Sequence, residues 1–168
     1  HQHAQANNDI TPRKGLSVNF AQYVTLGNNA TNNTSLSSKL YLPFFFRNST
    51  TELNFNYQYN NRNVNGYEFA NQIDFIKGIK NQFPTEYYGG GLTFNLPLFY
   101  PDWIIGPVFY VKRVSIKPFY EIASFDKQIH QSFGNDFSFN LCVFGIKLPI
   151  EIGLRCGYKS HSYFAYCF

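Results

Sequence analysis

Evenly spaced charged residues in the second half of the chain could form ion pairs with one another. They form two groups, one at 113–121 and one at 151–155, and within each group the residues are four positions apart. Because a strand has a period of two, the members of a group point to one face. Opposite charges on neighbouring strands attract each other across such a face. The sequence therefore predicts a ladder of alternating charge on one side of a sheet. Its members are Arg113, Lys117, Glu121, Glu151 and Arg155.

Residues suited to catalysis or to metal binding are sparse. His130 lies in a predicted loop and His161 near a predicted turn, and neither has the local context of a Ser-His-Asp triad. His1 and His3 could hold a metal, but two histidines near a chain end are a weak signal for a site. We therefore expect a protein that is not an enzyme and that has no metal and no cofactor.

The cysteines match no zinc or redox pattern, because their number is odd and their spacings are irregular. Our first interpretation is that they are small apolar strand residues. A disulfide between Cys156 and Cys167 across adjacent strands is the alternative. The three cysteines are Cys142, Cys156 and Cys167.

The composition favours strands and polar loops in a single domain. Aromatic residues make up 20% of the 168 residues and charged residues only 14%. No apolar run approaches the roughly 20 residues that a membrane helix needs. The net charge of +4 comes without a basic stripe or a nucleic-acid motif, so we expect no nucleic acid as partner. The absence of Met predicts a processed product or a piece of a longer chain.

Alternation of apolar and polar residues is the clearest structural signal. Leu53, Phe55, Tyr57 and Tyr59 alternate with polar residues through 52–60, as in a strand with one apolar and one polar face. This alternation fits a soluble sandwich, and it equally fits a barrel whose apolar face meets lipid and whose polar face lines a lumen. After an N-terminal extension at 1–14, the predicted strands are about 15–26, 36–46, 51–61, 85–97, 107–123, 135–146, 149–158 and 160–168.

The predicted connections fall into two kinds that alternate along the chain. The short or proline-containing links are 47–50, 98–106 and 147–148. The longer, mostly polar links are 27–35, with a solvated Asn28–Asn33, then 62–84 and 124–134. Short turns on one side and long loops on the other are typical of outer-membrane barrels, although the tight link at 158–160 is an exception. The pattern favours a barrel segment at 15–168 with a long extracellular loop at about 62–84.

Aromatic residues cluster near two predicted turns. Their rings suit the membrane interface, where an apolar body and a polar edge are both satisfied. Ordinary turn packing is the alternative. The clusters are Phe44–Phe46 and, at the second turn, Phe99, Tyr100 and Trp103.

The chain ends on a strand pattern in which Phe164, Tyr166 and Phe168 share one face. A final strand that ends in an aromatic residue resembles the closing strand of bacterial outer-membrane β-barrels. That resemblance implies that these three residues form the C-terminal signal that the barrel assembly machinery recognises during insertion. It also implies a periplasmic C-terminus.

Residues 85–123 resemble the C-terminal part of a Bacteroidetes outer-membrane barrel of the surface-antigen superfamily. That superfamily includes the barrel-assembly insertase, and a related group joins TolB-like propellers to such barrels. The resemblance extends over residues 10–168 and is strongest in three stretches. These are LPLFYPDW at 96–103, GPVFYVKR at 106–113 and FYEIA at 119–123.

Two motifs of the superfamily have altered counterparts in this chain. An Arg-Gly-aromatic tip on a loop that folds into the lumen corresponds to Lys77, Gly78 and Ile79. An aromatic-x-Asp-x-Gly motif on a late strand corresponds to 119–123, where Glu121 replaces Asp and Ala123 replaces Gly. The resemblance implies a contact from Lys77 and Gly78 to Glu121, weakened because Lys lacks the bidentate fork of Arg. The alternative leaves both charges solvated.

The resulting expectation is an all-β, antiparallel transmembrane β-barrel, with eight strands here as the C-terminal half of a sixteen-stranded barrel. In the bacterial outer membrane it would serve translocation, outer-membrane protein assembly or anchoring of a membrane complex. Its partners would be outer-membrane lipid or lipopolysaccharide, the barrel assembly machinery, and the N-terminal half of the barrel or other subunits. The alternatives are a complete eight-stranded barrel with a structural or adhesion role and a soluble β-sandwich binding module.

Overall fold

The fold of this chain is known from a computed structural model. It describes residues 2–3, 12–25, 31–46, 48–61, 72–79, 84–105, 109–125, 127–143, 146–160 and 162–168. The strands are β1 (Gln2–His3), β2 (Lys14–Val24), β3 (Asn32–Pro43), β4 (Thr50–Asn61), β5 (Glu86–Phe99), β6 (Trp103–Ile105), β7 (Phe109–Phe125), β8 (Gln128–Val143), β9 (Ile146–Lys159) and β10 (Ser162–Cys167).

All of these strands belong to one antiparallel sheet, so the prediction of an all-β antiparallel protein is confirmed. The strand order follows the chain from β1 to β10, except that short β6 pairs with β7 beside the end of β5. Each strand therefore pairs mainly with its neighbours in sequence, as in a meander. Within the described residues, no helix has the length and apolar character to span a membrane.

The sheet does not close on itself. In the described part of the chain β10 pairs with β9 alone, and β2 pairs with β3 and with the two residues of β1. The complete eight-stranded barrel, which was the alternative interpretation of the sequence, is therefore not seen, and among the described residues both long edges of the sheet have positions without a strand partner.

The two faces of the sheet differ in what covers them. One face, which we call the loop face, has residues 72–79 lying on it and includes Asn56, Glu121 and Arg155. The opposite face, which we call the open face, includes Phe55 and Ile152 and leaves its side chains exposed. The period of two assigns every second residue of each strand to the same face.

The predicted strands differ from the observed ones mainly at their ends. The loop predicted at 124–134 is wrong: β7 reaches Phe125, β8 starts at Gln128, and Lys127 in the tight turn has a φ of 61°. The polar residues at 128, 130 and 132 belong to a strand because they alternate with Ile129 and Phe133 on the open face.

Three other connections are shorter or lie elsewhere than predicted. Strand β3 begins at Asn32, so the prediction of a solvated loop at Asn28–Asn33 is wrong for its last two residues, and 28–30 lie outside the described residues. Asn33 is buried on the loop face beside Asn60. Strand β9 includes the predicted link at 147–148, and β6 lies inside the predicted link at 98–106. Because the connection after β7 is tight, long and short connections alternate less regularly than the sequence suggested.

Candidate functional site

Residues 72–79, which we call the docked segment, lie against the loop face. Three neighbouring strands hold this segment at Lys77 and Gly78. The Lys77 N–H donates to Glu121 Oε2 of β7 at 2.6 Å. Ser132 of β8 donates its hydroxyl to the Lys77 carbonyl at 2.8 Å. Lys159 of β9 donates from Nζ to the Gly78 carbonyl at 3.3 Å. The pairing of Glu121 with Ser132 and of Ser132 with Lys159 places these three side chains in one row across the sheet.

The Lys77 side chain lies in a small buried cluster of charges. Its Nζ is 3.4 Å from Glu121 Oε1 and 3.8 Å from Asp136 Oδ2, and both carboxylates are almost fully shielded from solvent. The same Nζ lies 4.0 Å from the centre of the Phe119 ring and within 3.4 Å of Thr93 Oγ1. Lys77 and Glu121, which the resemblance brought together, are therefore joined through both the backbone and the side chain of Lys77.

Arg155 extends this cluster to the C-terminal strand. Its guanidinium donates to both oxygens of Asp136, at 2.7 Å from Nε and 2.8 Å from NH2. Its NH1 donates to the Tyr166 hydroxyl at 2.9 Å, and the Phe168 ring lies 4.9 Å from its central carbon. A bidentate Arg–carboxylate pair fixes both distance and orientation. Asp136 thus connects the docked segment, through Lys77, with β10, through Arg155.

Phe164, on β10, contacts the docked segment directly. Gly78 has a φ of 86°, and a Cβ placed on it would lie 2.7 Å from Phe164 Cε1. A Cβ on Gly157 of the adjacent β9 would lie 2.7 Å from Phe164 Cζ. The ring therefore occupies space that two glycines leave free. Phe164, Tyr166 and Phe168 share one face as predicted, and that face is the loop face.

An apolar cluster also binds the docked segment to the sheet. All of its members are buried, although the rest of this face is polar. Within it, the Ile76 N–H donates to the Tyr87 hydroxyl at 3.2 Å. The Phe75 and Tyr87 rings meet edge to face with centroids 4.7 Å apart. Sequence reasoning missed this cluster, although isoleucines three residues apart in 73–79 were a usable signal. The cluster consists of Ile73, Ile76, Ile79, Tyr87, Ala123 and Phe125.

The start of the docked segment is held by strands β3 and β4. Asn56 donates its amide to the Asp74 carbonyl at 3.0 Å, and Gln58 Oε1 accepts from the Gln72 N–H at 3.2 Å. Lys39 pairs with the Asp74 carboxylate at 3.4 Å on the exposed side. The segment is therefore fixed at both ends and extends across the sheet from β3 to β10.

Of the other predicted ladder residues, Lys117 and Glu151 pair with each other on the loop face and Arg113 pairs with Asn140. Lys117 donates to Glu151. Arg113 donates to the side-chain oxygen of Asn140, at 2.6 Å from NH2, when the Asn140 amide is turned to face it. The structure thus divides the predicted ladder into separate pairs. Asp136, which the sequence interpretation did not include, is the carboxylate that joins Lys77 to Arg155.

The predicted interface aromatics lie at the junction of β5 and β6, two strands that both pair with β7. Phe99, Tyr100 and Trp103 are each about half exposed, and the Phe99 and Trp103 rings are 6.0 Å apart. The Tyr100 hydroxyl accepts from Asn48 at 3.3 Å, which links this segment to the turn between β3 and β4. Phe45 and Phe46 protrude from that same turn.

The histidines and cysteines form no site in the part of the chain that the structure describes. His130 stacks on Phe125 with ring centroids 4.1 Å apart, whereas His1, His161 and the His3 side chain lie outside the described residues. No group of His, Cys, Asp or Glu there could hold a metal ion. Cys142, Cys156 and Cys167 are free thiols, so the disulfide alternative is wrong.

Comparison of this chain with protein-family models, with curated proteins and with solved structures gives no match. The arguments about function therefore rest on the geometry of the sheet and of the segment docked on it.

Proposed function

We propose that this chain forms part of the wall of a bacterial outer-membrane β-barrel, with its open face against lipid and its loop face lining a lumen. The observation that supports this proposal is an inversion of the usual polarity of a protein. The face that is buried is polar, and the face that is exposed is apolar. In water that arrangement would leave a large apolar surface uncovered, which soluble proteins avoid.

The open face presents large apolar side chains on strands across the whole sheet. Phe20 of β2 is 65% exposed, Phe55 of β4 is 48% exposed, and Ile152 of β9 is 48% exposed. Scattered exposed apolar residues are common on soluble proteins, but a continuous set on adjacent strands is not. A lipid environment removes the cost, because acyl chains are as apolar as these side chains.

The loop face buries polar groups to an unusual degree. Gln58 is 1% exposed, and Ser115 and Ser138, whose hydroxyls bond to each other at 2.8 Å, are 0% exposed. Burial of a polar group destabilises a protein unless the group forms a hydrogen bond, and on this face such bonds join side chains of neighbouring strands. A polar interior behind an apolar exterior is the pattern of a transmembrane barrel.

Strand lengths agree with a membrane-spanning role. Strands from β2 to β9, apart from short β6, have 11 to 17 residues. A tilted transmembrane strand needs about 9–11 residues. The free edges at β2 and β10 would pair with further strands, and the resemblance to sixteen-stranded barrels makes the other half of such a barrel our proposed partner.

Within this barrel we assign the docked segment 72–79 the role of a plug that narrows the lumen. It lies across the polar wall and is held by Glu121, Ser132 and Lys159. A barrel with an occupied lumen suits translocation or outer-membrane protein assembly, because in both roles the lumen must stay closed while no substrate is passing. The role requires no enzymatic chemistry.

The experiment that tests this function separates membranes from soluble proteins in cells that make the full chain. A wall protein stays in the outer-membrane fraction after an alkaline carbonate wash and leaves it only in detergent. Its partners and lipopolysaccharide are then sought in the detergent extract. Recovery of the folded chain in the aqueous fraction without detergent would contradict the proposal.

A further inference from the structure

The outer edge of β10 carries backbone groups that have no strand partner among the described residues. The N–H and C=O of Phe168 bond with those of Gly153 on β9, both at 3.0 Å. Such pairs alternate along an antiparallel ladder, so the backbone groups of Tyr163, Ala165 and Cys167 point away from β9. Because no water reaches the hydrocarbon core of a membrane, these groups require another strand.

The outer edge of β2 has the same arrangement. The Thr25 N–H donates to the Thr31 carbonyl at 3.0 Å, and the register of β2 with β3 continues this ladder without a bulge. The backbone groups of the even-numbered residues in 16–24 therefore point away from β3. Short β1 covers this edge only at 14–15.

The two edges match in direction and in hydrogen-bond phase. Without two-residue β1 and three-residue β6, the described meander has eight strands, so β2 and β10 run in opposite directions. On both edges the outward backbone groups belong to residues whose side chains lie on the open face, such as Phe20 and Tyr163. A ladder that joins β10 to β2 is therefore antiparallel and keeps the apolar face continuous.

The loop-face side chains of the two edges also fit each other. β10 presents the three rings of its final residues, whereas β2 presents the smaller Ser17, Asn19 and Ala21. In this ladder they fall in the non-hydrogen-bonded pairs, where side chains come closest. Pairing of β10 with another β10 would oppose ring to ring, and it would place the two copies in opposite orientations across the membrane.

The contents of the loop face require more strands than this sheet has. An eight-stranded barrel has an interior that its own side chains or one small ligand fill. Here the eight residues of the docked segment lie on the wall, with a cavity of about 540 Å³ between them and the strands. The described β2 and β10 are also not paired with each other. The strand that pairs with β10 therefore comes from outside this sheet.

We propose that a second copy of this chain supplies that strand: β10 of each copy pairs with β2 of the other, and a sixteen-stranded barrel closes. The second copy is then the other half of the barrel in the proposed function, on which this inference rests. A partner half must offer one edge that fits β10 and another that fits β2, and a second copy offers both. Head-to-tail contacts close into a ring when the rotation allows it, here about a two-fold axis along the lumen.

The first measurement is native mass spectrometry of the complex that mild detergent extracts from membranes of cells that make the full chain. We expect two copies, twice the 19.5 kDa of one chain. A single copy, or one copy held by a different chain, would overturn the proposal and leave the membrane location standing. Recovery of the chain in the aqueous fraction without detergent would contradict the proposed function itself.

Disulfide formation between two differently tagged copies tests which edges meet. One copy keeps Cys167 of β10 as its single cysteine. The other has no native cysteine and carries Leu16→Cys, Val18→Cys or Phe20→Cys on β2. Hydrogen-bonded pairs have Cα atoms about 5.5 Å apart, which suits a disulfide. We expect at least one of these positions to join the two tags, and Asn19→Cys on the loop face to fail. No disulfide at any of the three would overturn the edge pairing.

Proline at residue 165 tests the ladder itself. The Ala165 N–H points to the free edge, so Ala165→Pro removes a donor from the ladder between copies and none from the ladder with β9. It should weaken the association of the two copies roughly tenfold, because a hydrogen bond is lost. Ala165→Val, which keeps the N–H, should associate normally. Far-UV circular dichroism shows that both variants are folded, and equal association of the two would overturn the proposal.

Discussion

Phe164 of the C-terminal strand lies so close to Gly78 of the docked segment that a Cβ at residue 78 would be 2.7 Å from the ring. Two parts of the chain that are far apart in sequence thus meet without any space for a side chain between them. Gly78 also has a φ of 86°, a backbone conformation that other residues adopt only with strain. The position of the docked segment and the packing of β10 therefore depend on each other.

Gly78→Ala should loosen the docked segment, because it adds both backbone strain and a clash with Phe164. Strain in the left-handed region costs about 1–2 kcal/mol, and overpacking costs about 1–3 kcal/mol more. Amide hydrogen exchange at Lys77 and Ile79 should become faster. Gly90→Ala is the matched control, since a Cβ there meets only ordinary contact at 3.4 Å. Equal exchange in both variants would contradict the role of this contact.

Glu121 should matter more than Lys77 for the docking of the segment. Glu121 accepts both the backbone N–H and the ammonium group of Lys77, whereas Lys77→Gln keeps the backbone bond and removes only the contacts that Nζ makes with Glu121, Asp136, Thr93 and Phe119. Glu121→Ala should release the segment, because the backbone N–H of Lys77 loses its acceptor and the ammonium group keeps only Asp136 as a carboxylate partner, at 3.8 Å. A buried donor left without a partner costs about 1–3 kcal/mol. Hydrogen exchange at the Lys77 backbone amide measures the release of the segment. Exchanging the two charges in one double variant should restore docking only in part, because Lys at 121 cannot accept the backbone N–H.

A larger effect of Lys77→Gln than of Glu121→Ala would contradict this order. A double-mutant cycle on Lys77 and Glu121 gives their coupling energy directly, and residues in contact couple by about 0.5–3 kcal/mol. Zero coupling would mean that the two side chains act independently.

Asp136→Asn should destabilise the end of the sheet formed by β8, β9 and β10. Asp136 is the carboxylate that both Arg155 and Lys77 approach, so its neutralisation leaves two buried cations with weaker compensation. The expected loss is about 3–5 kcal/mol in the free energy of unfolding. Denaturant unfolding in detergent measures it, with Glu86→Gln as an exposed control. A change no greater than that of the control would contradict the network described here.

Phe55→Arg should prevent stable membrane insertion if the open face lies against lipid. An Arg on the lipid face of a transmembrane barrel costs about 2–4 kcal/mol near the bilayer midplane. Phe55→Leu, which keeps the position apolar, should insert normally. The amount of folded chain in the membrane fraction is the measurement, and equal insertion of the two variants would contradict a lipid-facing role for Phe55.

The alternation of residue types allowed much of the sheet to be predicted. Leu53, Phe55, Tyr57 and Tyr59 lie on one face and their polar neighbours on the other, because a strand has a period of two. The ends of strands were harder to predict, since turn position depends on local backbone geometry. Lys127 adopts a positive φ that nothing in its residue type required.

The candidate site was only partly predictable, because its residues come from separate strands. The resemblance pointed to Lys77 and Glu121, which the structure places in contact. Asp136 gave no such signal: it is the one acidic residue in 128–143, and only the register places it opposite both Lys117 and Arg155. Tyr87 and Phe125 lie on the polar face and became interpretable only with the docked isoleucines above them.

The most direct test of the central claim is tryptophan quenching by brominated lipid in the reconstituted protein. Trp103, the chain's single Trp, is replaced by Phe, and one new Trp is placed at Phe137 on the open face or at Phe75 in the docked segment. Our account predicts strong quenching for Phe137→Trp and little for Phe75→Trp. Absence of quenching at residue 137, or equal quenching at both positions, would contradict a barrel wall with its open face against lipid.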